Sequence, residues 1–306
     1  MAERIKITFL GTGSAIPTAR RSHTAIYLQY KAENILIDCG EGTQRQFRKA
    51  KLNPCKVTKI LITHWHGDHV LGLSGFLQTL ALNGMTKKVE LYGPEGTKEK
   101  VREFFDTFMR PGWKMNLEVF EVGEEKFLEN DEFYFESKLA KHSVEAVSYS
   151  FVVKEKSRLD RDKLAKLKIG NSPLMGKLAQ GKIVTIDGKK IDGKKLVYTE
   201  PKRKVTVVLD TLVCPGAVSN AKDADLLICE SSYSIEEAET ALDHMHLTSK
   251  DACTIAKKAK VKDLVLTHIS QRYDVIPKKI LSEAEEVLKG SGIGVRVAED
   301  FDEIVL

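Results

Sequence analysis

Residues Thr63 to Gly72 read THWHGDHVLG and gather His64, His66, Asp68 and His69 within six positions. Three imidazoles and a carboxylate this close together are costly to bury unless a divalent cation draws them inward. The preceding KILIT (Lys59 to Thr63) is apolar and β-branched like a buried strand, and Val70 to Leu82 carries apolar residues at helical intervals. The segment therefore reads as a strand-to-helix loop whose ligands project from the strand's carboxyl end. Imidazole nitrogen and carboxylate oxygen suit borderline metals, zinc first, and a catalytic zinc keeps a position open for water, whose pKa falls to about 7. Four ligands divided by Gly67 do not serve one ion easily, which predicts two adjacent metals.

The chain has 306 residues, 42% of them hydrophobic, enough for one large domain or two modest ones. No run approaches the roughly 18 apolar residues of a membrane helix, and MAERIKI (Met1 to Ile7) lacks the apolar core of a signal peptide. The expectation is a protein with no membrane association, resident in the cytoplasm. Cys39, Cys55, Cys214, Cys229 and Cys253 are odd in number, widely spaced and form no CxxC, which argues against a disulfide framework and against a thiolate metal site. From Lys154 to Lys204 there are sixteen Lys or Arg against six Asp or Glu, a net +10. The whole chain carries +5, so the remainder carries −5. A concentrated basic element is the electrostatic footprint expected for a phosphate backbone. Its Gly-rich, lysine-rich sequence predicts an inserted arm projecting from the main body, without a core of its own.

Other chemistry-bearing residues recur at predicted strand ends. RIKITFL (Arg4 to Leu10) runs into the turn Gly11-Thr12-Gly13-Ser14, and NILID (Asn34 to Asp38) ends in a carboxylate that either accepts loop amides or orients a ligand imidazole. The strand Phe133 to Leu139 leads to His142, KVTVVLD (Lys204 to Asp210) ends in Asp210, and Leu226 to Cys229 leads to Glu230. His246 follows a short helix, and Ser249 is predicted to N-cap the next, through Lys260. DLVLT (Asp263 to Thr267) repeats the pattern before the metal loop and delivers His268, with Arg272 and Tyr273 beyond it.

The succession of His64, His66, Asp68, His69, His142, Asp210 and His268 resembles the metallo-β-lactamase superfamily. FLGTGSAIPT (Phe9 to Thr18), DCGEGTQRQ (Asp38 to Gln46), LDT (Leu209 to Thr211), HLTSKDA (His246 to Ala252) and THISQRY (Thr267 to Tyr273) resemble, more narrowly, its ribonuclease Z family, which trims the 3′ end of precursor tRNA. The resemblance implies a four-layer αββα sandwich over residues 1–306, with the arm at 154–204 acting as a flexible tRNA-binding exosite. It implies two zinc ions per subunit, one on His64, His66 and His142, the other on Asp68, His69 and His268, with Asp210 bridging. Asp68 then orients or deprotonates water, Glu230 and His246 assist the leaving group, and Asp38 supports the ligands. Arg272 and Tyr273, with Gly170, Pro173, Gly176, Lys177, Gly181 and Lys182 of the arm, are implied to contact substrate. Ser172-Pro173 stands where the family usually carries Gly-Pro, and Cys229 where bacterial relatives often have His. The family also implies a homodimer in which one subunit's arm holds tRNA for the other's site. A small-molecule or cyclic-nucleotide phosphodiesterase of the same superfamily would share the seven ligands; the +10 segment and Arg272-Tyr273 argue against it.

Overall fold

In the computed structural model, which describes residues 3–108, 115–167, 173–186, 188–276 and 278–306, RIKITFL becomes strand β1, Ile5–Gly11. Its alternation separates two cores: Ile5, Ile7 and Phe9 enter the layer between two sheets, and Leu10 faces helices outside. The first sheet also holds β2 (Ala25–Tyr30), β3 (Glu33–Ile37), β4 (Lys59–Leu61), β5 (Val89–Gly93), β6 (Leu117–Glu121) and β18 (Glu303–Val305), in the order β18-β1-β2-β3-β4-β5-β6. Pairing is antiparallel from β18 to β3 and parallel from β3 to β6.

The second sheet contains β7 (Lys126–Glu129), β8 (Phe133–Leu139), β9 (Val147–Val153), β14 (Arg203–Val208), β15 (Leu226–Glu230), β16 (Asp263–Thr267) and β17 (Gly294–Val297), in the order β17-β16-β15-β14-β9-β8-β7. Here too alternation assigns the faces. Leu226 and Ile228 join Phe133, Phe135, Tyr149 and Phe151 between the sheets, whereas Leu227 and Cys229 face outward. Helices Thr43–Lys49, Leu73–Leu82 and Thr97–Phe108 cover the first sheet; Pro215–Ala221, Ser249–Ala259 and Lys278–Leu288 cover the second. The result is the expected four-layer αββα sandwich. No helix among the described residues is long and apolar enough to cross a membrane, and all five cysteines are free.

Several local expectations change. The pattern from Glu95 to Met109, ahead of Pro111-Gly112, reads as a helix; the structure starts it at Thr97, and Met109 lies outside the described residues. The cap of Ser249–Ala259 is Thr248 and not Ser249: Thr248 Oγ1 accepts from Asp251 N–H while Asp251 accepts from Thr248 N–H, a reciprocal capping box. Ser249 is already the first helical residue.

Between β9 and β14, β10 (Lys156–Leu159) pairs with β13 (Val197–Glu200), and β11 (Ile183–Ile186) with β12 (Lys189–Asp192). Leu178, Val184 and Leu196 are buried there against Leu159, Leu164, Ile186 and Ile191. The segment thus has a small apolar cluster of its own, which its sequence conceals because these residues are scattered singly and meet only when the ribbons pair. Lys177, Lys182, Lys189 and Lys190 remain exposed. Gly170 and Ser172 lie outside the described residues.

What positions the site is the edge at which strand ends converge. Asp38 follows β3, His64 follows β4, His142 follows β8, Asp210 follows β14, and His268 follows β16. Parallel pairing of β14, β15 and β16 sets the ends bearing Asp210, Glu230 and His268 side by side. The sheets are tied together at this edge by the His64–Ala146 bridge and by Val147 N–H donating to Thr63 O at 2.9 Å.

Candidate metal centre and active site

Four of the ligand-type histidines have one ring nitrogen engaged by a neighbour. His69 Nδ1 donates to Asp38 Oδ2 at 2.7 Å, His142 Nδ1 to Met245 O at 3.0 Å, and His268 Nδ1 to Ser232 Oγ at 2.8 Å. Thr63 Oγ1 donates to Asp38 Oδ2 at 2.7 Å and so accepts from His64 Nδ1 at 3.1 Å. These partners assign the tautomers and leave the opposite nitrogens with free lone pairs.

Those lone pairs face one another. His64 Nε2 and His142 Nε2 each lie 3.1 Å from His66 Nδ1, and His69 Nε2 lies 3.2 Å from His268 Nε2. Imidazole nitrogens converging this closely, with a carboxylate among them, form the nitrogen and oxygen donor set that suits a divalent cation, so the donor chemistry fits a metal. Asp210 stands between the two sets, its Oδ2 3.4 Å from His64 Nε2 and 3.3 Å from His69 Nε2, its Oδ1 3.3 Å from His268 Nε2. Asp210 Oδ1 is buried with no hydrogen-bond donor, a second sign of a missing positive partner. His64, His66, His142 and Asp210 offer ligand atoms all within 4.8 Å of one another, as do Asp68, His69, Asp210 and His268. A third such set joins Asp210, Glu230, His246 and His268.

The electrostatics agree with neutral ligands on one side. Burial, reinforced by the neighbouring His69, pushes His64 down to about 4; burial also lowers His66 and His142. His69 behaves differently: burial opposes its charge, but Asp210 and Asp38 outweigh burial and raise it well above the usual value. A metal held there would displace that proton. Asp68 is opposed by burial yet held well below the usual carboxylate range by hydrogen bonds with His268 and His69, and it accepts Ala15 N–H at 2.9 Å.

Asp38 performs both roles that the sequence leaves open: it accepts Thr63 N–H at 2.7 Å and fixes His69. Beside it two loops meet backbone to backbone, with Cys39 N–H donating to His69 O and Gly72 N–H to Cys39 O. A Cβ on Gly72 would lie 1.9 Å from Gly40 O, so the last residue of THWHGDHVLG must be glycine. Gly72→Ala is expected to destabilise the fold by about 1–3 kcal/mol and to weaken metal retention, read from urea midpoints with and without chelator.

Glu230 is fully buried and accepts from Thr211 N–H at 2.8 Å and Ser232 Oγ at 2.7 Å. His246 Nδ1 lies 3.1 Å from Glu230 Oε2. Burial disfavours the imidazolium, but the Glu230 carboxylate outweighs it and raises His246 to about 9. A cavity of about 490 Å³ opens over these groups, lined by His66, His142, His246, Tyr233, His244 and Arg272 among others. Tyr273 is not among its lining residues. Its ring is buried, with the hydroxyl accepting from Ser234 N–H at 2.8 Å and donating to Glu237, a structural environment. Pro173, Gly176, Lys177, Gly181 and Lys182 are likewise absent from this lining. Among the described residues, Ser232, the Met245 carbonyl and the Ala15 amide are site components that the sequence reading missed. None carries a spacing signal, since each acts through tertiary contact.

Comparison with known proteins agrees with this geometry. Over 293 residues the chain is 38% identical to a ribonuclease Z of Picosynechococcus, covering 92% of each chain. The chain belongs to the ribonuclease Z family. A ribonuclease Z of Nanoarchaeum equitans is 37% identical over 267 residues, 87% of this chain and 84% of that one. The crystal structure of the short form of human tRNase Z aligns with a TM-score of 0.69 at 26% identity, covering 98% of each chain. A family model described as Anti-Pycsar protein Apyc1 also matches, over residues 5–171. That span includes the metal loop and His142 but ends before Asp210, Glu230, His246 and His268, whereas the ribonuclease Z relatives extend over most of the chain.

Proposed function

We propose that this ribonuclease Z family member is a zinc-dependent endoribonuclease that removes the 3′ trailer from precursor tRNA, leaving a 3′-hydroxyl on the tRNA and a 5′-phosphate on the trailer. The observation that carries this reading is the Glu230–His246 pair at 3.1 Å beside two convergent donor sets that share Asp210. His64, His66 and His142 would hold one zinc and Asp68, His69 and His268 the other, with Asp210 available to both sets. When bound, the pair of ions supplies charge stabilisation of the phosphoryl group and a nucleophile available near neutral pH.

The chain's own residues do the rest. Asp68, fixed by Ala15 N–H, orients the attacking water and accepts its proton. Water forms the new P–O bond as the P–O3′ bond breaks, so the phosphoryl group stays on the trailer's 5′-oxygen; attack by the RNA 2′-OH would instead leave a cyclic phosphate on the tRNA. His246, kept charged by Glu230, donates a proton to the departing 3′-oxygen. Glu230 is held by Thr211 and Ser232, so its carboxylate stays aimed at the imidazole.

The arm at 154–204 grips the tRNA backbone through exposed lysines, and the active form is a cytoplasmic homodimer in which each arm serves the other subunit's site. Support for the arm comes from its +10 charge and the exposure of Lys177, Lys182, Lys189 and Lys190. Replacing these four with Gln is expected to weaken tRNA binding and to lower the slope of log affinity against log salt by up to about 0.9 for each phosphate no longer neutralised. An unchanged slope, measured by filter binding across salt, would remove the arm from the interface.

The deciding experiment incubates the protein and zinc with a precursor tRNA and maps both new ends. A 3′-hydroxyl at the tRNA end with a 5′-phosphate on the trailer is expected. A cyclic phosphate, or cleavage confined to small cyclic nucleotides, would overturn the reading.

A further inference from the structure

Three planar side chains at the cavity wall take no part in the chemistry above. Tyr233, His244 and Arg272 all line the cavity. Tyr233 is 8% exposed, and the His244 ring lies parallel to its ring, with planes 7° apart and centroids 6.3 Å apart. The Arg272 guanidinium rests over the same ring at 5.3 Å, and its Nε pairs with Glu237 at 3.6 Å. Tyr233 is itself anchored: its N–H donates to Leu247 O and its carbonyl accepts from Ser249 N–H. An arginine with a half-exposed side chain is ordinarily free to sample many rotamers. Here it lies over an aromatic ring and is paired with a carboxylate, with His244 exposed beside it.

We propose that Tyr233, His244 and Arg272 form a stacking platform for the nucleobase of the nucleotide whose 3′-oxygen is released, the last nucleotide of the product tRNA. The proposal rests on the trailer-cleaving reading. Its placement follows from His246, which delivers the proton to that oxygen and whose ring lies 6.0 Å from Tyr233. The sugar bearing the oxygen must stand over His246, and its base then falls on the Tyr233 side of the cavity. Aromatic rings and guanidinium planes stack on any base, because every base has a π-face. A platform of this kind positions the acceptor end without reading its sequence, which suits an enzyme whose substrates share a shape and differ in sequence.

The test uses a precursor tRNA carrying an abasic site at that nucleotide alongside the normal precursor, cleaved by the wild-type protein and by Arg272→Lys, His244→Ala and His244→Phe. Removing the base should cost the wild type about 5- to 150-fold in kcat/KM, the range that one stacked base supplies, mostly as a higher KM. Arg272→Lys, which keeps the charge and loses the plane, and His244→Ala should show losses on the normal precursor. On the abasic precursor both should match the wild type, and His244→Phe should retain most of the wild-type preference for the intact base. If the losses from side chain and base multiply, these residues act on something other than the base and the platform is overturned, while the tRNA reading stands. A wild type that leaves the normal precursor uncut overturns both.

Discussion

Replacing His246 with alanine is expected to lower kcat on precursor tRNA by about 10²- to 10⁴-fold while zinc content and tRNA affinity stay at wild-type levels. The size follows from the leaving group: a ribose 3′-oxygen departs poorly as an alkoxide, and the proposed role of His246 is to protonate it. Its Nδ1 is engaged by Glu230 at 3.1 Å, its side chain is 14% exposed, and the buried carboxylate raises it to about 9. It therefore carries its proton at neutral pH and turns its other ring nitrogen away from Glu230. A p-nitrophenolate leaving group needs no such proton, so the loss on bis(p-nitrophenyl) phosphate should be much smaller than on tRNA. The competing assignment is concrete, because His246 also belongs to a donor set with Asp210, Glu230 and His268 within 4.8 Å. Elemental analysis separates the two: if the variant loses zinc in step with activity, His246 is a ligand and the proton-transfer role is wrong.

The parts of this site that were legible in the sequence share one property: each sits at the end of a strand whose apolar pattern is itself legible. His64, His66, Asp68 and His69 are close in sequence, and a strand-to-helix loop brings them close in space. Asp210, Glu230 and His268 follow three apolar runs that parallel pairing then aligns. What escaped is whatever depends on a contact without a local pattern. Ser232 joins Glu230 to His268, and nothing in ESS distinguishes it from Ser231. The Met245 carbonyl and Ala15 amide belong to backbone, which any residue could present; both residues adopt positive φ, 56° and 41°, a strained conformation that only tertiary packing enforces. Tyr273 shows the converse. Its position beside Arg272 in THISQRY suggests a shared role, yet Gln271–Tyr273 is a 3₁₀ turn that leaves Arg272 at the rim and buries Tyr273. His23 shows how little a lone histidine reveals: it is buried, its Nε2 bonded to Ala15 O at 3.0 Å, and packed so closely against Gly40 that a Cβ there would lie 2.4 Å from its own Cβ.

Asp210→Ala should have the largest effect of any single change, because Asp210 is the one residue common to all three donor sets found among the described residues. Removing His142 strips one set of one ligand; removing Asp210 strips both and leaves His64, His69 and His268 facing one another without the carboxylate that stands between them. Metal content is expected to fall from two ions per chain toward none, with cleavage of both tRNA and bis(p-nitrophenyl) phosphate reduced by about 10³-fold or more, since several kcal/mol of phosphoryl stabilisation would be lost. Thermal unfolding supplies a readout that does not depend on turnover. Zinc that binds only the folded state raises the wild-type melting temperature by mass action, and in Asp210→Ala that zinc-dependent rise should vanish while it survives in His246→Ala. A variant that retained two ions and the full zinc-dependent rise would show that each donor set closes without Asp210, and the shared-carboxylate arrangement on which the proposed chemistry depends would have to be abandoned.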